Sequence, residues 1–323
     1  MMRLGKLDNP ELERLVLKKY SHTRAESLYA PGVGQDCATL DFGNDLIVLS
    51  CDPITSAGLP HLGRLTVHVC CNDAAAAGAE PVGLLVTLLM PPTLNQDDIA
   101  RIADDLAEAA RAANVDIIGG HTEVSDAVTR AVTIATVVAR MPRGRTLTGL
   151  QPGDALVMTK WAGLEGTTIL AEDYADRLAA LPKETLERAR ELTKYLSVVP
   201  ESRVAMQMGA TDMHDITEGG VLGAAWELSY VGGVGVQLDL SRIPVLPETR
   251  AICQALSLDP LRLISSGSML ISCKNGEALV AALTKAGIPA AVIGKATGDA
   301  VTDQSGAPVD PPGSDEIYRL SHD

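Results

Sequence analysis

The chain has 323 residues, 46% of them hydrophobic, which suffices for a sizeable core and suits two domains better than one. Its 27 Lys and Arg against 41 Asp and Glu give a net charge of −14, which argues against nucleic acid as a partner, since a phosphate-tracking surface needs clustered basic residues. One Phe and two Trp leave the core to Ala, Val, Leu and Ile, a composition that favours α/β layers.

The stretch Met1 to Asn9 is charged and lacks an apolar signal core, and no run of about 18 apolar residues follows, so the expectation is a soluble, cytoplasmic protein without a membrane partner. A helix is predicted over Pro10 to Tyr20, with Pro10 in the first turn and Leu12, Leu15 and Leu17 on its apolar side. The Gly-rich turn Pro31-Gly32-Val33-Gly34 comes next. A buried strand, Leu46 to Leu49, then runs into Ser50-Cys51-Asp52-Pro53, so Asp52 is expected at a strand's C-terminal end.

Residues 63 to 78 read as an Ala-rich helix carrying Asn72 and Asp73, followed by a strand at Leu84 to Met90 and an amphipathic helix from Asp97 to Asn114. A strand over Val115 to Ile118 is expected to open into Gly119-Gly120-His121-Thr122-Glu123. After a strand at Val132 to Ala139, periodicity is lost between Arg140 and Gln151, placing a boundary between domains 1–145 and 146–323. In the second domain, helices are predicted near Leu164 to Arg177, Lys183 to Leu196 and Val221 to Ser229. Strands are predicted at Ala155 to Thr159, Val236 to Leu240, Met269 to Cys273 and Ala291 to Ile293. The segment from Thr302 reads as irregular. The six cysteines form no CxxC pair, so neither a disulfide framework nor a zinc site is indicated.

Five motifs carry the chemistry in a fixed order: Gly32-Val33-Gly34-Gln35-Asp36-Cys37-Ala38; Ser50-Cys51-Asp52-Pro53; Asn72-Asp73 through Gly78-Ala79-Glu80-Pro81; Gly119-Gly120-His121-Thr122-Glu123; and Asp215-Ile216-Thr217-Glu218-Gly219-Gly220. Together they resemble the superfamily of aminoimidazole ribonucleotide synthetase, HypE, selenophosphate synthetase and thiamine-monophosphate kinase, most closely HypE. The resemblance covers residues from about 30 to 295. It implies two PurM-like α/β domains, with N-terminal sheets joining into a barrel across a homodimer. It also implies ATP and Mg²⁺ as cofactors, and a small-molecule or protein-borne acceptor activated through an amide or carbonyl oxygen. A thiamine-monophosphate-kinase-like phosphotransferase and a nucleotide-binding maturation factor without turnover are the alternatives. HypE presents a C-terminal cysteine. Here the last cysteine is Cys273, so dehydration of a thiocarboxamide on the chain's own terminus is not expected.

Under that resemblance, Asp36, Asp52, Asp73 and Asp215 are the expected metal carboxylates, because a hard cation prefers oxygen donors and leaves sites for phosphate. Gly32, Gly34, Gly119, Gly120, Gly219 and Gly220 would let backbone approach phosphate, with Thr217 beside the first-turn amides of a helix. Asp52, His121 and Asp215 are the candidate catalytic groups. His121 reads either as a phosphate donor or general acid, or as a turn histidine satisfied by backbone, and Glu123 as metal-binding or loop-capping. Asn72 reads as a nucleotide contact, as a residue stabilising the interior of the Ala-rich helix, or as plain polar surface. Lys160 reads as a solvated lysine, the commoner case, or as neutralising a phosphate at the domain junction. Asp212 and His214 read as surface of the loop before Asp215.

Overall fold

The computed structural model describes residues 9–322, apart from 16, 20–24, 30, 31, 34, 36 and 56. The first half runs α1 (Asn9–Leu15), β1 (Ala38–Asp41), β2 (Asp45–Ile54), α2 (Leu62–Ala76), β3 (Glu80–Met90), α3 (Gln96–Ala113), β4 (Asp116–Val124) and β5 (Val132–Pro142). Its strands form one sheet in the order β1-β2-β5-β3-β4, antiparallel except for the parallel β3–β4 pair. Strand residues alternate between faces, so Leu46, Val48 and Ser50 of β2 are buried on the helix side while Cys51 is exposed on the other. That other face carries the exposed apolar side chains Val82, Leu85 and Ile118.

Helix α3 begins on a capping box, in which Asn95 and Asp98 each accept the other's backbone N–H, and ends on Asn114 in a left-handed conformation. Its buried stripe is Ile102, Leu106, Ala109 and Ala110. Helix α2 differs: every residue except Arg64 and Val69 is buried, because the helix lies between the sheet and the second half of the chain.

The second half runs β6 (Ala155–Thr159), α4 (Leu164–Asp173), α5 (Lys183–Arg190), α6 (Val199–Gln207), β7 (Ala210–Asp215), α7 (Gly220–Gly232), β8 (Val236–Leu238), α8 (Pro247–Leu256), β9 (Met269–Cys273), α9 (Gly276–Lys285), β10 (Ala290–Ala296) and β11 (Val301–Thr302). Its sheet order is β11-β8-β10-β6-β9-β7. One apolar core runs through both halves, joining Leu65, Cys71 and Leu84 to Leu164, Leu196, Val198 and Ile271. Among the described residues, no helix is long and apolar enough to cross a membrane.

Several expectations need correction. Asp52 lies within β2, since pairing with β5 continues to Ile54 opposite Thr133. The strand at 116 does not open at Gly119 but continues to Val124, held by parallel pairing with β3. The long helices predicted at 164–177 and 183–196 each end early in a 3-10 turn, at Ala175–Leu178 and Glu191–Tyr195. Instead of remaining irregular, the distal segment reaches a 3-10 stretch, Glu316–His322, with Ile317 and Leu320 buried.

Candidate functional site

Period-two alternation puts Ser50 and Asp52 on the helix face of β2, and helical spacing puts Cys70 and Asp73 on the side of α2 that meets it. The Ser50 hydroxyl lies in hydrogen-bond contact with Asp73 Oδ2 and 3.4 Å from Asp52 Oδ2. Cys70 donates to the Ala135 carbonyl at 3.1 Å, with its sulfur 3.9 Å from Asp52 Oδ2. Burial, reinforced by Asp52 and Asp73, pushes the Cys70 thiol up, and burial pushes Cys71 up to about 12. Neither is a thiolate at neutral pH.

Asp73 lines a cleft of about 230 Å³ with Tyr29, Gln35 and Thr39 on the first half and Asp212, Met213 and His214 of β7 on the second. Asp212 and His214 are therefore cleft residues, contrary to the surface expectation, because strand β7 turns them inward. Asp215 ends β7, is buried, and pairs in register with Met269. The His214 ring bonds the Asp215 carbonyl at 2.6 Å and stands 3.4 Å from Glu227. Of the four expected metal carboxylates, the structure brings Asp52 and Asp73 together. Asp215 belongs to the opposite sheet, and Asp36, like Gly34, lies outside the described residues. Among the described residues, no group of three or more His, Cys, Asp or Glu side chains is close enough to hold an ion.

The other predicted residues divide into turns and clamps. Gly32 opens a turn in which its carbonyl accepts the Gln35 amide at 3.2 Å. Gly119 and Gly120 sit in β4, and His121, exposed in mid-strand, pairs with Glu123 at 3.2 Å on the same side. Asn72 is not a surface or nucleotide-facing side chain. It is fully buried, donating to the Leu196 carbonyl and accepting from the Val198 amide, both at 2.8 Å. Lys160 does not face the cleft as a phosphate partner either. Its ammonium spends three donors on Glu201 at 2.7 Å, the Tyr195 carbonyl at 2.7 Å and the Ser197 carbonyl at 2.6 Å, which exhausts its donors. Burial pulls that ammonium's pKa down, and Glu201 opposes the pull.

At the start of α7, Gly219 and Gly220 adopt left-handed conformations, but their amides do not wait for phosphate. Gly220 donates to the Thr217 carbonyl at 3.1 Å, and Gly219 donates at 2.8 Å to Asp315, a residue of the distal segment. Tyr318 of the same segment bonds Glu218 at 3.0 Å. A chain-borne carboxylate thus fills the anion position of the helix start. Nothing in the sequence signals this, since Asp315 lies 96 residues from its partner.

Burial pushes the Glu165 carboxyl up to about 7 and Asp315 up to about 6, each further raised by neighbouring carboxylates. Both hold protons when folded at pH values where the unfolded chain has lost them. Their stabilisation is therefore full below about pH 4 and lost as pH rises through about 6 and then about 7. Buried His68, pulled down to about 4, acts in the opposite sense below its unfolded pKa, so a variant comparison isolates the carboxyl. Relative to wild type, Glu165→Gln is expected to gain about 2 kcal/mol of stability between about pH 5.5 and pH 8, read from urea unfolding at both pH values. A constant difference across that range refutes the assignment.

A second cavity, about 730 Å³, opens where β2 and β3 end and β5 begins. Its walls include Gly58, Thr93 and Arg130 from the first half, Asp173 at the end of α4 with the Tyr174 that caps it, and Tyr318. Burial raises the Asp173 carboxyl and Arg130 counters it, so one acid and one guanidinium face the same space. Neither is marked in the sequence; each is an isolated charge in a segment without a motif.

Two α/β halves, each with its own sheet, sharing one core and a cleft lined by Asp73 and Asp212, define the two-domain PurM-like class. The chain belongs to the AIR synthase related protein family: the family's N-terminal domain matches residues 34–141 and its C-terminal domain residues 151–304. Carbamoyl dehydratase HypE of Azotobacter vinelandii is 33% identical over 247 residues, spanning 74% of this chain and 70% of that protein. The solved structure of hydrogenase maturation protein HypE in complex with ATP superposes with a TM-score of 0.72 at 21% identity, over 98% of this chain and 97% of its own. AaThiL complexed with AMPPCP and TMP gives 0.76 at 18% identity, over 98% and 99%.

Proposed function

We propose that the chain is a Mg²⁺-dependent, ATP-using enzyme that activates a small acceptor by phosphoryl transfer. The observation that carries this reading is the meeting of Asp52 and Asp73, from two separate motifs, on the single Ser50 hydroxyl beside the interdomain cleft. Two carboxylates with a neighbouring hydroxyl fit Mg²⁺, which takes one or two protein carboxylates and leaves its other positions to water and phosphate oxygens. Bound there, the ion supplies neutralisation of phosphate charge. Asp52 and Asp73 are the residues that would hold it, and Ser50, whose single proton goes to one of them at a time, stands between their oxygens. Two relatives carrying the same fold, HypE with ATP and AaThiL with AMPPCP, lend the nucleotide part support.

The 730 Å³ cavity is the proposed acceptor space. Arg130 suits an anionic or carbonyl oxygen on the acceptor, and Asp173 an amide or amine donor. The exposed apolar face with Val82, Leu85 and Ile118 is proposed to be covered by the same face of a second copy, giving a homodimer.

The expected result is a rise in melting temperature with ATP only when Mg²⁺ is present, and a loss of apparent ATP affinity of about 100-fold in Asp73→Asn. ADP released on adding candidate amides supports activation of the acceptor. ADP accompanied by a stable phosphorylated product supports a kinase. ATP binding without turnover leaves a maturation factor. Absence of any Mg²⁺-dependent nucleotide effect ends the proposal.

A further inference from the structure

We infer that the segment Tyr195–Val198 is a keystone that sets the separation between Asp73 and Asp215, and that Asn72 is the positioning residue tying it to the first half; this rests on the carboxylate site proposed above. Four consecutive residues are held from two sides. The carbonyls of Tyr195 and Ser197 go to Lys160 at the end of β6, while the Leu196 carbonyl and the Val198 amide go to Asn72 of α2. A third wall is Gly267, at φ +103, where a Cβ would stand 2.6 Å from the Tyr195 carbonyl oxygen. Only glycine lets the backbone before β9 approach so closely.

Two of these walls lead on to the carboxylates, Asn72 to Asp73 of the proposed site and Gly267 to Asp215 on the opposite sheet. Asn72 precedes Asp73, and because neighbouring helix residues project about 100° apart, anchoring one fixes the direction of the other. On the far side, Ser268 follows Gly267 and accepts the Ile216 amide at 2.9 Å, while Met269 pairs with Asp215. A continuous path of hydrogen bonds and packed backbone therefore runs from Asp73 through the keystone to Asp215. The four backbone groups of the segment that Lys160 and Asn72 hold are all paired within the protein, so the path has few alternative arrangements.

A Mg²⁺ titration of the ATP-dependent melting shift on the full chain tests this. Asn72→Ala is expected to raise the Mg²⁺ concentration at half-effect about 10-fold, the scale for residues that orient metal ligands. Gly267→Ala, which presses on the segment from the other side, is expected to do the same and serves if Asn72→Ala fails to fold. Ser202→Ala removes a different bond across the same seam, Ser202 Oγ to the Ala75 carbonyl at 2.6 Å. It is expected to lower melting temperature without moving the Mg²⁺ midpoint. Hydrogen exchange reads the path without nucleotide: Asn72→Ala is expected to speed exchange of the Val198 and Ile216 amides about 10-fold, with Ile216 unchanged in Ser202→Ala. A midpoint within twofold of wild type in both Asn72→Ala and Gly267→Ala overturns the inference, as does unaltered Ile216 exchange. Failure of wild type to respond to Mg²⁺ and ATP sinks the functional reading instead, and Ile216 exchange still decides the keystone.

Discussion

Lys160→Met is expected to lower unfolding free energy by about 3–5 kcal/mol, because it leaves the Glu201 carboxylate buried without its cation. The two side chains are 5% and 3% exposed, so water cannot replace the lost partner. The substitution also strips donors from the carbonyls of Tyr195 and Ser197. Adding Glu201→Gln removes the stranded charge and is expected to recover part of the loss, the remainder belonging to those two carbonyls. Urea unfolding of the single and double variants checks both statements. A single variant within 1 kcal/mol of wild type, a threshold of about the size of an exposed ion pair, would mean that the pair is solvated in solution.

Gly120→Ala is expected to cost on the order of 4 kcal/mol or more and to strip β4 from the sheet. A Cβ there would lie 1.8 Å from the Val86 carbonyl oxygen, and φ is +142, a region side chains avoid. Strand β4 must part from β3 to accept it. Gly144→Ala is the control. Its φ is +82 but nothing lies within 4 Å of the added Cβ, so its cost is expected to be about 1–2 kcal/mol of backbone strain alone. Because β4 borders the face proposed for the second copy, sedimentation velocity should show the Gly120 variant as a single chain, against the two-copy assembly proposed for wild type. A variant that melts like wild type would contradict the close strand approach.

The parts of the fold legible in the sequence were those encoded by short-range periodicity. The ends of β6 and β9 were read correctly at Ala155, Thr159, Met269 and Cys273, and α3 emerged from its apolar stripe within a residue or two. Strand β7 escaped because Ala-Thr-Asp-Met-His-Asp has no apolar alternation, its pairing being supplied by β9. Helices α8 and α9 do carry local signals, Pro247 with the buried stripe Thr249, Ile252, Cys253 and Leu256 in one and the Asn275 N-cap with Leu279 and Leu283 in the other, but as short ten-residue elements they stand out little from the surrounding loops. Asp52 and Asp73 were readable as site candidates from motif order. Ser50 could have been added, since a residue two positions before Asp52 shares its strand face. The roles of Asn72 and Lys160 were not readable, because their partners lie 124 and 35 residues away, a distance at which local pattern carries no information.

The distal segment has a temporal consequence. Residues 310–320 are made after everything they touch: Arg262 donates to Asp310, Gly219 to Asp315, the Asp259 amide to Glu316, and Glu218 meets Tyr318. During synthesis all the strands and helices of the second half precede the carboxylate that completes the start of α7. The eleven-residue strap can therefore dock only after the partners it touches have been made.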